Sequence, residues 1–202
     1  MADMDRREAL KMVMLAPAAA SFTWTGTEAD QAWRNAQTAR RTAAANGSRV
    51  EPQFFDPHEW ATLGVLVDMI IPADARSGSA TDAGVPEFID FIMVDEPNRQ
   101  VAVRGGLAWL DTECRRRFGA NFIDVSNAQR SAVLDDIAWP ARARPEFSHG
   151  VAFFNTIRDL TASGFWSSRM GVDDLEYTGN TMIAAWNGCP PAALAKLGVS
   201  YE

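Results

Sequence analysis

The sequence predicts an all-α protein: an irregular multi-helix domain with long loops and an extended N-terminal arm. Three observations point there. Apolar residues recur at helical spacing between recognisable caps and stops. No alternating apolar and polar run of four or more residues offers a strand. The Gly- and Pro-containing connections exceed the roughly two to eight residues of a simple bundle, which argues against up-down symmetry. Apolar residues make up 47% of the 202-residue chain, enough for a real core in one domain.

The first strong helix begins in FDPHEWATLGVLVDMIIP. Asp56 is placed to cap it, Pro57 suits the first helical position, and Glu59 stands three residues after the cap. Trp60, Leu63, Val67 and Ile70 or Ile71 then recur at helical spacing, and Pro72 stops the run. PADARSGSATDAG reads as a polar loop. A second helix covers VPEFIDFIMVDE, with Phe88, Ile89, Ile92 and Met93 on one side. The third extends from about Pro97 to Phe118 and stops at Gly119. Gly105 and Gly106 lie inside it at a cost of about 1 kcal/mol each relative to alanine, so either close helix packing or a kink is expected there.

Ser126 opens a fourth helix, with Gln129 in the capping-box position, Val133, Leu134 and Ile137 on its apolar face, and Pro140 after its end. The fifth spans PEFSHGVAFFNTIRDLTASG, sending Phe147, Val151, Phe154, Ile157 and Leu160 to the core, with Gly164 as its C-cap. A short last helix lies in PPAALAKLG.

The N-terminus divides from this body. Residues 1–20 contain the adjacent Arg6 and Arg7 and then an apolar run from Met12 to Ala20. A positive region before about 7–15 apolar residues has the form of an export signal, and the run falls short of the about 20 needed to cross a membrane. DRREALK resembles a twin-arginine signal, with Ala9 where Phe or Leu is commoner and Asp5 where Ser or Thr is commoner. Ala18-Ala19-Ala20 offers a cleavage site before Ser21, and a periplasmic mature protein is expected. An ordinary amphipathic first helix is the alternative. Residues 21–53 form the arm, and residues 54–202 the helical domain. From about Thr27 to Pro52 the apolar stripe is weak. Such a segment is expected to gain order only against something else, with Trp33 as its anchor on a partner.

Nineteen basic residues against 26 acidic ones leave a net charge of -7, which argues against a nucleic-acid partner. All the basic residues but Lys11 and Lys196 are Arg. His58 and His149 have no second His or Cys at metal-ligand spacing. Cys114 and Cys189 form no C-x-x-C; in an oxidising compartment they pair with each other, or Cys189 pairs with a partner chain, or both stay free. No dinucleotide fingerprint or P-loop occurs. Asp135-Asp136 and Asp173-Asp174 are sequence neighbours and do not face one cleft. A serine nucleophile at Ser167 or Ser168 with His149 as base, and a two-His-plus-carboxylate site assembled in space, are the constellations left open.

The segment GFWSSRMGVDDLEYTGN and the nearby AAWNGCPP spend glycines, aromatics, a cysteine and a double proline without any such geometry. Together with ATLGVLVDMIIPAD, TDAGVPEFIDFI and FFNTIRDLTAS, this part of the chain resembles the gluconate 2-dehydrogenase subunit 3 family, over roughly residues 54 to 190. The most specific matches are Ile71 to Asp74, Ala83 to Val85, Gly164 to Ser168, Glu176 to Gly179, and Trp186 to Pro190.

The resemblance implies a small gamma subunit with a twin-arginine leader. It binds, stabilises and escorts a large flavoprotein of the glucose–methanol–choline class in an FAD-dependent sugar dehydrogenase complex. FAD and the catalytic histidine then belong to the large chain, and a cytochrome c often accepts the electrons. Some family members act on glucose or gluconate, others on the C3 hydroxyl of glucosides or disaccharides. No catalytic, cofactor-binding or metal-binding residue carries over to this chain. Aromatic anchors in shaped turns suit docking, which makes Trp33, Phe165, Trp166, Tyr177, Trp186 and Cys189 the interface candidates. An independent periplasmic enzyme and a stand-alone sugar-binding protein are the competing readings.

Overall fold

The computed structural model describes residues 26–47, 50–177 and 188–201. Among them every regular element is helical: α1 (Gly26–Ala45), α2 (Pro57–Ile70), α3 (Ala80–Ala83), α4 (Val85–Asp95), α5 (Gln100–Phe118), α6 (Asn127–Ala138), α7 (Ser148–Ser167), α8 (Arg169–Asp174) and α9 (Pro191–Leu197). Short 3-10 turns at Pro97–Arg99 and Pro145–Phe147 lead into α5 and α7.

The caps form as their residue types dictate. The Asp56 carboxylate accepts from the Glu59 backbone N–H at 2.8 Å, and the Glu59 carboxylate accepts from the Asp56 N–H at 3.0 Å. Ser126 and Gln129 make the same reciprocal pair at the start of α6. Gly119 and Gly198 take left-handed φ values of 80° and 66° at the ends of α5 and α9, a conformation open to glycine at little cost.

α7 is the central helix. It packs against α1, α2, α3, α4, α5, α6 and α8. Burial on so many sides demands apolar residues around most of its circumference and close approach at chosen points. Phe153, Phe154, Ile157, Leu160 and Phe165 supply the first. Glycine supplies the second. A Cβ on Gly164 would lie 2.9 Å from the Phe88 ring of α4, so this glycine is an interior contact point and not the expected C-cap, and α7 runs on to Ser167. On α5, a Cβ on Gly106 would fall 1.9 Å from Phe153, while one on Gly105 meets nothing within 4 Å. Close packing, rather than a kink, accounts for one of the two glycines.

Three carboxylates tie the helices to neighbouring backbone. Buried Asp90 of α4 accepts N–H groups from Gln53, Phe54 and Phe55 at 2.8, 3.0 and 3.3 Å. Asp111 of α5 accepts from the Phe122 N–H at 2.9 Å and meets His58 Nε2 at 2.5 Å. Asp68 of α2 accepts from the Thr81 N–H and hydroxyl at 2.8 and 2.7 Å. These contacts satisfy donors that burial would otherwise orphan.

The described part of the expected arm is corrected by the structure. Residues 26–45 form a 20-residue helix docked on α4 and α7. Its buried face is Ala32, Trp33, Ala36 and Ala43. Alanines let the helices approach closely but register faintly in an apolar pattern, which is why the stripe looked weak. The Trp33 ring is 8% exposed and meets Phe88 edge-on at 6.2 Å between centroids, so it is anchored in its own core. The segment expected to be a plain loop after Pro72 also contains α3, capped by Ser79 and Asp82.

Candidate docking face at the end of the central helix

The motif segments meet where α7 ends. After Ile71 the chain turns on Asp74, whose carboxylate accepts the N–H groups of Arg76 and Ser77 at 2.8 and 2.9 Å. These two N–H groups, Ser77's foremost, hold the Asp74 carboxyl below the usual carboxylate range. The turn aims Arg76 at the far side of the cluster, where it bonds the Asp174 carbonyl and pairs with the Asp174 carboxylate at 3.3 Å and Glu176 at 3.7 Å.

Gly84 adopts φ 91° between α3 and α4. A Cβ there would lie 2.6 Å from a guanidinium nitrogen of Arg40. That room lets Arg40 of α1 donate to the Asp82 carbonyl at 3.0 Å and approach Glu87 at 3.6 Å. Burial pushes the Glu87 carboxyl up, partly offset by Arg40.

At the opposite wall, the Ser168 hydroxyl accepts from the Gly171 N–H at 2.9 Å and starts α8. α8 folds tightly onto the last turn of α7: a Cβ on Gly171 would sit 2.1 Å from the Phe165 carbonyl oxygen. The Tyr177 N–H then returns to the Val172 carbonyl at 3.1 Å. Between these walls lies an open cleft of 760 Å³, with Trp33, Gln37 and Arg40 of α1 on one side and Ser168, Arg169, Met170, Asp173 and Asp174 on the other. The sequence neighbours Asp173 and Asp174 thus line one cleft, which corrects the expectation that they do not, because the short turn of α8 brings both to the same opening.

The sequence-predicted residues separate sharply here. Phe165 is 1% exposed and belongs to the core, which corrects its placement among outward-facing anchors. Its neighbour Trp166, edge-on to it at 4.9 Å, is 39% exposed. Tyr177 is 58% exposed, and Leu175, which was not anticipated, is also exposed. Cys189 is half-buried and its N–H donates to the Tyr201 hydroxyl at 2.6 Å. Cys114 is buried in the core, and both thiols are free. Trp186, Arg6 and Arg7 lie outside the described residues.

The serine–histidine constellation is overturned by geometry. His149 and Ser167 occupy opposite ends of α7. Eighteen residues of rise separate them by about 27 Å. Ser167 donates instead to the Ser163 carbonyl at 2.5 Å, and Ser168 is a helix cap. Among the described residues no three His, Cys, Asp or Glu side chains converge as metal ligands, and no helix is long and apolar enough to cross a membrane.

What remains is a turn ion-paired through Arg76, with Trp166 exposed before it and Leu175 and Tyr177 exposed on it. Preorganised apolar anchors of this kind lose little freedom when they dock. Comparison with known families gives one match: the model described as Gluconate 2-dehydrogenase subunit 3 aligns with residues 57–188. The matched span starts at α2, so α1 and its Arg40 contact precede it. Neither the curated proteins nor the solved structures yield a match.

Proposed function

The chain belongs to the gluconate 2-dehydrogenase subunit 3 family, and we propose on that premise that it is the non-catalytic small subunit of an FAD-dependent sugar dehydrogenase. It binds and stabilises a large flavoprotein of the glucose–methanol–choline class, which holds the FAD and performs the oxidation. The complex is exported together by the twin-arginine route on the leader containing Arg6 and Arg7, works in the periplasm, and passes electrons to a cytochrome c.

The observation that carries this reading is the exposed trio of Trp166, Leu175 and Tyr177 at the end of α7. Three large apolar side chains exposed within twelve residues of chain are expensive to leave in water and are expected to be covered by a partner. Ion pairs from Arg76 to Asp174 and Glu176 hold the turn with Leu175 and Tyr177 in shape.

Co-expression with the flavoprotein tests the reading. The two chains should purify together, and the flavoprotein made without this subunit should lose yield or FAD. Trp166→Ala together with Tyr177→Ala should weaken the complex while leaving the subunit folded. A flavoprotein that keeps full flavin content and activity alone, and does not bind this chain, would refute the proposal. For export, Arg6→Lys with Arg7→Lys should retain the complex in the cytoplasm; unchanged localisation would remove the twin-arginine step.

A further inference from the structure

A largely apolar groove of 350 Å³ opens between α2, α6 and α7, lined by Met69, Ile70, Leu134, Ala138, Trp139 and Phe154, with Ser131, Asp135 and Arg158 as its polar lining. Trp139 follows α6 and is 60% exposed, more than Trp166. The Arg142 guanidinium lies 5.9 Å from the centre of the Trp139 ring. Among the described arginines it is the one whose side chain has neither a hydrogen bond nor an ion pair. A tryptophan that lines the groove, with an arginine free of ion pairs beside its ring, has the composition of a binding hot spot.

We infer that this groove is a second docking point for the flavoprotein, one that receives an apolar side chain flanked by a carboxylate; the inference rests on the function proposed above. Three features support the same partner at both points. The first is area. The exposed fractions of Trp166, Leu175 and Tyr177 offer roughly 300 Å² together, while a stable interface takes about 800 Å² per side from about 20–30 residues, so it extends well beyond these three.

The second is continuity. Arg158 edges the groove and Trp166 lies eight residues further along α7, about 12 Å of helix rise. Ile70 lines the groove and Arg76 the cleft, so the loop bearing Ile71 to Asp74 runs from one to the other. An interface of standard size is about 30 Å across and spans both points. The third is charge. Among the described residues no carboxylate pairs with the guanidinium of Arg142, which is complementary to one from the partner.

The test uses the co-expressed complex and the full chain carrying Trp139→Ser or Arg142→Glu. Both side chains are exposed, so circular dichroism and the melting temperature of the free subunit should stay at wild-type values. Each variant is expected to raise the Kd for the flavoprotein about tenfold or more. If the wild-type chain binds and Trp139→Ser binds within tenfold of it, the second docking point is overturned while the function stands. If Trp139→Ser weakens binding but Arg142→Glu does not, the partner's carboxylate is overturned. If the wild-type chain does not bind at all, the proposed function fails, and this inference with it. Should Trp139→Ser misfold, oxidative footprinting of Trp139 in the wild-type chain reads the same point, and equal oxidation in the free and bound states overturns the proposal.

Discussion

Replacing Gly106 with alanine puts a methyl carbon 1.9 Å from Cδ2, 2.1 Å from Cγ and 2.6 Å from Cε2 of Phe153. No rotation of the methyl relieves this, because the ring itself occupies the space. Either Phe153 leaves its place in the core or α5 and α7 move apart. Overpacking of this kind costs about 1–3 kcal/mol, and a displaced ring belongs at the upper end. Alanine returns about 1 kcal/mol of helix propensity, so the net loss is about 2 kcal/mol. The same substitution one residue earlier meets nothing within 4 Å and keeps only the propensity gain, about 1 kcal/mol.

Gly105→Ala and Gly106→Ala should therefore move stability in opposite directions and differ by about 3 kcal/mol. At about 2–4 °C per kcal/mol for a chain of this size, their melting temperatures should be separated by roughly 6–12 °C. Thermal and urea unfolding followed by circular dichroism measure both. The escape route for Phe153 is the 400 Å³ groove that it lines with Gly105 and Trp109. If Gly106→Ala is as stable as Gly105→Ala, the ring has moved there without penalty and close packing is not why Gly106 is a glycine.

The remaining predictions concern the carboxylates. Arg116, and with it Arg117, holds the Glu113 carboxyl at about 2, against an ordinary 4.5. The full shift would be worth roughly 3 kcal/mol, but Arg116 is largely in solvent, so about 1–2 kcal/mol is expected for Glu113→Gln at pH 7. Because the folded value lies below the unfolded one, that contribution is present above about pH 4.5 and disappears as the pH falls towards 2, which acid unfolding of both proteins will show. The hydrogen bond to Asp111 raises the His58 imidazole above its ordinary 6.5. Its contribution is complete below that value and fades as the pH rises through the raised one. The melting-temperature gap between wild type and His58→Ala should shrink from pH 6 to pH 9, and a constant gap would refute the link. Asp90→Ala orphans the N–H groups of Gln53, Phe54 and Phe55 and should cost about 3 kcal/mol in urea unfolding, with faster amide exchange at those residues as its local signature.

Local chemistry was legible along the chain wherever the deciding partner lay within one turn. Asp56 with Glu59, Ser126 with Gln129, and Gly119 as a helix stop follow from residue type and spacing, and the structure shows each of them. The apolar faces of α4 and α6 followed from periodicity in the same way. The short helix α3 escaped notice although Ser79 and Asp82 carry the capping signal, because a four-residue helix has no periodicity to read.

Which of the candidate aromatics are exposed was not legible one by one. Phe165 and Trp166 are adjacent aromatics in one turn, yet one is buried and the other faces outward. The packing of α7 into the core decides which, and α8 folds back beside them at Gly171, where a Cβ would sit 2.1 Å from the Phe165 carbonyl oxygen. Trp139 was passed over because it sits beyond any motif. Its signal was a tryptophan just after a helix and three residues before an arginine, which means little until the neighbouring helices leave the pair exposed.

By itself, then, the sequence determined the all-helical class, most helix limits and the family, since these rest on interactions between near neighbours or on ordered motifs. Tertiary structure alone decided that α1 docks through Ala32, Trp33 and Ala36, that Gly106 answers to Phe153 and Gly105 to nothing, and that His149 and Ser167 stand at opposite ends of α7. The reason is physical: burial and close approach belong to pairs of surfaces, and each surface's partner lies tens of residues away in the chain.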